Sequence, residues 1–243
     1  EGRGVEVFGG LDEVLVTQQF NLSEVFGIEA KNRYRISPVN NPHETFLYAQ
    51  ESSDGCERVC CSPCRSLTMN IHQGSDKTGA TKLSFEKKFV CPMLPWPVLL
   101  HVPAWFIFCP WMAMASKVGP QFVVRSGSSV IGTVTDPPGP LFCCKANSII
   151  SDASGNKILE CGPNSLCDYG MCCPCMADEV VPIFAVDSHT QVATITRKAL
   201  SCEEMFGKMN RFTVNFGTIA DPETRALIFA AAMLFDLTYW EQK

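Results

Sequence analysis

The sequence predicts a mainly β protein, in which strands from two duplicated halves close around one hydrophobic C-terminal helix. Three observations carry that prediction. Short segments of period-two alternation follow one another at close spacing, with almost no helical pattern before the C-terminus. Two passages repeat one another at a near-constant offset. The last stretch, from Arg225 to Glu241, has no polar face between Ala226 and Phe235. A helix that is apolar all round must be sealed either inside protein or inside a membrane.

In chain order, Leu11–Phe26 reads as one or two strands around Val14-Leu-Val16 and Gln18-Gln-Phe20. Asn32–Ile36 alternates with period two, and the turn Asn40–His43 leads into Thr45–Tyr48, which makes a hairpin. Ser66–Ile71 alternates again, Gly74–Gly79 is a loop, and Thr81–Val90 resumes as strand. The second passage has the same grammar: strands at Gln121–Arg125, Ser129–Val134, Asn147–Ile150, Lys157–Glu160, Val180–Val186 and Val192–Thr196. Turns fall at Asp152–Asn156 and Asp187–His189. Many short strands of this kind point to a barrel or a sandwich. Asp221 suits the N-cap of the closing helix, Pro222 its first position and Glu223 its first turn.

The copies align by residue. Asn32 matches Asn147, Cys56 matches Cys167, Cys60-Cys61 match Cys172-Cys173, Cys64 matches Cys175, and Ala80-Thr81 match Ala193-Thr194, all at offsets of 111 to 115 residues. A duplication of that size suggests two half-barrels. Closing them around the leftover helix removes edge strands and hides the helix's apolar surface together. Ala226–Trp240 is 15 residues, roughly 22 Å of helix against a hydrocarbon core of about 30 Å. Asp236 interrupts it. Burial is therefore favoured over a membrane span.

Composition bounds the function. The chain has 243 residues, 46% hydrophobic content and a net charge of −5, enough to bury a substantial core. The charge and the lack of a long Lys/Arg run argue against nucleic-acid binding and against attachment to acidic lipid mainly by charge. Lys87-Lys88 and Arg197-Lys198 read as solvated strand ends. His43, His72, His101 and His189 lie in no nucleophile or metal motif, so no catalytic residue is assigned and the chain is not expected to be an enzyme. It opens on Glu1 rather than Met. Upstream residues are therefore expected, and they could hold Pro-rich motifs for protein partners.

There are 14 cysteines, several as vicinal pairs. The chain is too long and core-rich to need a disulfide framework, so reduced cytosolic thiols are expected. The sequon Asn21-Leu-Ser23 is weak support for secretion. Cys61-x-x-Cys64 and Cys172-x-x-Cys175 each have zinc-knuckle spacing, so a shared four-thiolate zinc site, acyl attachment and plain thiols all stay open.

Several motifs then carry a resemblance: Gln18-Gln-Phe20, Asn32-Arg-Tyr-Arg-Ile36, Cys60-Cys-Ser-Pro-Cys-Arg65 with Leu67-Thr-Met-Asn-Ile71, Gly132, Asp152–Leu159, Cys172-Cys173 and the closing Leu234–Glu241. In order and spacing they resemble the phospholipid scramblases over nearly the whole chain. The resemblance implies a tubby-like fold, about twelve strands around the C-terminal helix. It divides the chain into a first half-barrel (11–90), an apolar insertion (91–118), a second half-barrel (119–220) and a core helix (221–243). It also implies calcium-stimulated, ATP-independent movement of membrane phospholipids between leaflets, from the cytoplasmic face of the plasma membrane. A non-transporting tubby-like module that binds lipid or protein there is the alternative.

The departures from the family pattern matter as much. The family's acidic calcium segment corresponds here to Lys208–Ile219, where Lys208 and Ile219 stand at acidic positions. Only Asn210, Asn215 and Asp221 offer oxygens, against the six to eight that calcium takes. The plainer reading of Phe212–Phe216 is the last barrel strand. The family's palmitoylated cysteine cluster corresponds to Cys91 and Cys109, with Cys60, Cys61, Cys64, Cys172, Cys173 and Cys175 as further acyl or zinc candidates. Pro92, Pro95, Pro97 and Pro103 rule out an ordinary spanning helix between Cys91 and Cys109. Trp96, Trp105, Phe106 and Trp111 suit a segment lying in the bilayer interface, so Leu94–Met114 is expected either to insert there or to fold back on the barrel.

Overall fold

A computed structural model describes residues 4–19, 31–57, 65–89, 119–136, 145–165, 178–199 and 210–240. Twelve strands form one closed antiparallel barrel. They are β1 (Glu13–Gln18), β2 (Arg33–Pro38), β3 (Leu47–Ser52), β4 (Leu67–Gln73), β5 (Thr81–Lys87), β6 (Gln121–Ser126), β7 (Ser129–Thr135), β8 (Lys145–Asp152), β9 (Lys157–Ser165), β10 (Glu179–Ala185), β11 (Gln191–Arg197) and β12 (Arg211–Asn215). Each strand pairs with its sequence neighbours, and β12 closes on β1 in the register Val14↔Val214. Closure leaves no edge strand. The period-two pattern places Val14 and Val16 of β1, Met69 and Ile71 of β4, Leu83 and Phe85 of β5, and Ile195 of β11 inside.

The interior is filled by helix α1 (Pro222–Phe235), whose residues from Arg225 to Phe235 are all buried. Asp221 caps its first turn by accepting from the Thr224 amide at 2.8 Å, with Pro222 following as the first residue. Phe229 meets Phe8 at 5.2 Å and Phe85 at 6.0 Å between ring centroids. Phe8 ends a short 3-10 turn, Gly4–Phe8, that closes one end of the barrel. Arg225 is held there by the Ile219, Phe8 and Leu11 carbonyls at 2.6 to 2.9 Å. Gly132 lets the helix approach β7: a Cβ there would stand 2.3 Å from the Ser151 carbonyl oxygen and 2.9 Å from Leu227.

The helix does not run regularly to Trp240. It continues after Phe235 as a π-helical turn, Asp236–Trp240, in which Asp236 is fully buried. The strand ends also differ from expectation. Lys88 and Lys198 are solvated, but Lys87 and Arg197 point inward, 6% and 3% exposed.

Alternating strand direction gives the barrel two unlike ends. At one, the turn end, the connections are short, for example residues 127–128 and 153–156. At the other, the rim, β1, β3, β5, β7, β9 and β11 finish and the even-numbered strands begin. The chain between β5 and β6 leaves and re-enters at the rim, yet β5 and β6 pair directly, Phe85 opposite Val124. Five strands precede that connection and seven follow it.

Candidate functional site

The rim holds most of the buried polar side chains. Inward-facing residues at the strand ends, which would be apolar elsewhere in the barrel, are here Gln18, Glu51, Lys87, Glu179 and Arg197. They join into a belt. The Arg65 guanidinium donates to Glu51 at 3.0 and 3.2 Å, and Lys87 Nζ donates to the Arg65 carbonyl at 2.9 Å. Gln18 Nε2 donates to Asn32 Oδ1 at 3.0 Å, and Gln18 Oε1 accepts from the Asn210 amide at 3.1 Å. Arg197 Nη2 donates to Asn210 Oδ1 at 3.1 Å, its Nη1 lies 3.9 Å from Glu179, and its guanidinium stacks 5.8 Å over the Trp240 ring. A group buried at such a site costs several kcal/mol without a partner, so the belt works only as a connected set.

The belt grips the end of α1. Tyr34 Oη and Asn210 Nδ2 donate to the two oxygens of Asp236 at 2.6 and 2.9 Å, and Asn210 Nδ2 also reaches the Trp240 carbonyl at 2.9 Å. On the other copy Tyr239 Oη donates to Asp136, which also accepts from Ser148 Oγ at 2.9 Å. Gln18–Asn32 joins the end of β1 to the start of β2, and Asp136–Ser148 likewise joins the end of β7 to β8. Burial pushes the Glu51 carboxyl up, but the hydrogen bonds and charge of Arg65 outweigh it and hold the group below its ordinary value. Burial pushes Asp136 above its ordinary value, against the Tyr239 and Ser148 hydrogen bonds.

These groups immobilise a helix, and inside them the lumen is packed with Phe8, Phe85, Phe122, Phe212 and Phe229. Among the described residues no polar path crosses it. Outside the belt, an open depression of about 330 Å³ lies between the rim ends of β3, β4 and β5, lined among others by Ser53, Asp54, Ser66 and Lys88. Asp54 and Lys88 set both charges at its edge.

The calcium candidates do not converge. Asn210 is 2% exposed and its side-chain oxygen faces the Arg197 guanidinium. Asn215 Oδ1 accepts from the Gly217 amide at 2.8 Å, and Asp221 Oδ2 takes the Thr224 amide and hydroxyl. Among the described residues no group of three or more His, Cys, Asp or Glu side chains is placed to hold a metal. Cys60, Cys61, Cys64, Cys91, Cys109, Cys172, Cys173 and Cys175 lie outside the described residues, as do Trp96, Trp105, Phe106 and Trp111. The chain on either side of them is placed: β3 and β9 finish, and β4 and β10 begin, on opposite sides of the rim. Of the described cysteines, Cys56 is exposed, while burial pushes the Cys161 thiol up and leaves it inert.

Sequence reasoning missed the belt. Its members are scattered single polar residues, and only their inward register marks them. Asp236 in an apolar run was the one visible signal.

Comparison with known proteins supplies a name for this architecture. The family model for Scramblase matches residues 2–242. The chain is 24% identical over 241 residues to phospholipid scramblase 2 of Bos taurus, covering 98% of this chain and 71% of that protein. It is 24% identical over 242 residues to phospholipid scramblase 1 of Mus musculus, with 98% and 64% covered, and 24% identical over 241 residues to phospholipid scramblase 1 of Homo sapiens, with 98% and 66% covered. The chain thus spans roughly two thirds of the length of these relatives. No solved structure matches it significantly. Matched from end to end on a single closed barrel, the chain belongs to the scramblase family.

Proposed function

We propose that this protein moves phospholipids between the two leaflets of a membrane in both directions and without ATP, acting from the cytoplasmic face of the plasma membrane. The observation that carries this reading is the scramblase match along the whole chain. In this reading lipid headgroups pass along the outside of the barrel, which is supported by the apolar packing of its lumen. Nor, in this reading, does transport depend on calcium at Lys208–Ile219, which is supported by the hydrogen bonds that the side-chain oxygens of Asn210, Asn215 and Asp221 already accept within the fold.

Attachment to the membrane falls to elements other than α1. The helix is enclosed in the barrel, and among the described residues no helix is long and apolar enough to cross a bilayer. The rim is the end at which the stretches containing the Cys60–Cys64 and Cys172–Cys175 motifs and Cys91–Cys109 join the barrel. Palmitate on these cysteines, together with interfacial insertion of Leu94–Met114 through Trp96, Trp105, Phe106 and Trp111, would fix the rim to the bilayer; two weak anchors hold stably where one does not. Zinc between the two Cys-x-x-Cys motifs is a competing use of the same thiols, separable by metal analysis of the purified protein.

The packed lumen also favours a second reading, a non-transporting module that binds lipid or protein at the membrane face. Fluorescent-lipid scrambling in proteoliposomes, with and without calcium, decides. Equal transport in both conditions supports the first reading, and no transport in either supports the second.

A further inference from the structure

The sequence has no long Lys/Arg run, but the barrel register assembles a cationic surface from separate strands. Thr17 of β1 stands opposite Arg35 of β2 on one side and Arg211 of β12 on the other. At about 4.8 Å between strands, the two arginine Cα atoms lie about 10 Å apart on the outer wall. Arg33 and Lys31 continue the same face of β2 toward the rim, and Lys198, whose amide bonds to the Arg211 carbonyl at 2.8 Å, extends it past β12. Lys31, Arg33, Arg35 and Arg211 are exposed. Two exposed acids among the described residues flank them: Asp178, ion-paired with Lys198 at 2.9 Å beyond β12, and Asp54, past the rim end of β3 beside β2.

The opposite end has the opposite character. Asp12, Glu44, Asp76, Asp187, Asp221 and Glu223 lie at the turn end, against Lys77, Lys82 and Lys157. A strand of six residues separates the two ends by roughly 20 Å, about two Debye lengths at physiological salt. The cations lie within about one Debye length of a neighbour, so their fields add, while an anionic surface at the rim leaves the acids screened. Arginine suits such a surface because its fork matches phosphate and carboxylate oxygens.

We infer that the outer wall of β11, β12, β1 and β2 near the rim docks the barrel onto an anionic phospholipid surface, rim toward the bilayer. This rests on the reading above that the protein works at a phospholipid membrane. It assigns to particular residues an attraction that the net charge of −5 conceals.

The test is flotation of the full chain with vesicles of phosphatidylcholine alone and of phosphatidylcholine mixed with phosphatidylserine. Lys31→Gln, Arg33→Gln and Arg35→Gln together should weaken the phosphatidylserine-dependent binding roughly a hundredfold, at about fivefold per cation, and added salt should weaken the wild type's. Lys77→Gln with Lys157→Gln at the turn end should change nothing. If the triple variant does not fold, Lys198→Gln with Arg211→Gln gives the same readout at about twenty-fivefold. A folded triple variant that binds like wild type, a turn-end variant that loses as much, or a preference for a nucleic-acid duplex over these vesicles each overturns the inference. Lipid transport is measured in the same preparations. Transport with recruitment unchanged in the triple variant overturns the docking wall alone. Recruitment lost in that variant, with no transport in wild type, overturns the proposed function and supports the wall.

Discussion

Tyr34 Oη donates to Asp236 Oδ2 across 2.6 Å and so ties the second strand of the barrel to the turn that ends its core helix, 202 residues later. The carboxylate is fully buried, and its other oxygen is held by Asn210. Tyr34→Phe keeps the ring and deletes a donor to a buried acid, a loss of about 1.5–3 kcal/mol. Urea unfolding should show a lower midpoint with an unchanged slope. An unchanged midpoint would mean that Asp236 finds another donor.

Gly132 sets how closely α1 can approach β7. A Cβ would meet both the Ser151 carbonyl oxygen at 2.3 Å and the Leu227 side chain at 2.9 Å. Leu227 can move; the backbone carbonyl, held in the sheet, cannot. Gly132→Ala should therefore cost about 1–3 kcal/mol, roughly 2–10 °C in Tm. Adding Leu227→Ala should not restore it. Recovery in the double variant would place the whole clash on Leu227.

The sequence made the barrel legible because its strands report two things at once: alternation gives their inward face, and the duplication gives their order. Asn32–Ile36 and Phe212–Phe216 overlap β2 and β12 with one residue outside each, Thr81–Val90 starts with β5 but runs past its end at Lys87, and Asp221 and Pro222 mark the helix start to the residue. The belt was hidden for a physical reason. Lys87 and Arg197 terminate strands next to the solvated Lys88 and Lys198, and a charged pair at a strand end reads as solvated unless its register is known. Glu51 and Arg65 are 14 residues apart and meet only because β3 and β4 pair. The docking wall was hidden likewise, since Arg35 and Arg211 become neighbours only when β12 closes on β1.

Asp136 gives a pH dependence with a definite sign. Burial raises its pKa in the folded protein above the ordinary value, against the bonds from Tyr239 and Ser148. The fold therefore favours the protonated acid. That contribution is fully present below the unfolded pKa of about 3.9 and is lost as pH rises through the higher folded value. Glu51 runs the other way: its lowered pKa contributes stability above about 4.3 that is lost as pH falls through the folded value. The difference between wild type and Asp136→Asn isolates the first effect, because asparagine stays neutral throughout. Thermal unfolding across this range should show wild type losing stability relative to Asp136→Asn as pH rises above about 4. A pH-independent gap would assign Asp136 an unshifted titration.

Interfacial insertion of Leu94–Met114 predicts a defect specific to membrane binding. Trp105→Ser with Phe106→Ser removes two large side chains of the kind that anchor at the interface, each worth about 1.5–3 kcal/mol of burial. Binding to phosphatidylcholine vesicles should fall while Tm stays constant. A fall in Tm with binding unchanged would instead place the segment against the barrel.

Asp221 separates a capping role from a metal role. Its carboxylate accepts from the Thr224 amide at 2.8 Å and the Thr224 hydroxyl at 2.6 Å, closing the first turn of α1. Asp221→Ala should cost about 1 kcal/mol through the lost cap. A calcium site needs more oxygens than this segment supplies, since Asn210 is held by Arg197 and Asn215 by the Gly217 amide. Any ligand that binds only the folded state raises Tm with concentration. Calcium should therefore leave the wild-type Tm where it is, and the ratio of transport with and without calcium should be the same in wild type and Asp221→Ala. A calcium-dependent rise in Tm that Asp221→Ala abolished would make Asp221 a ligand, and the cap would then be its metal-free state.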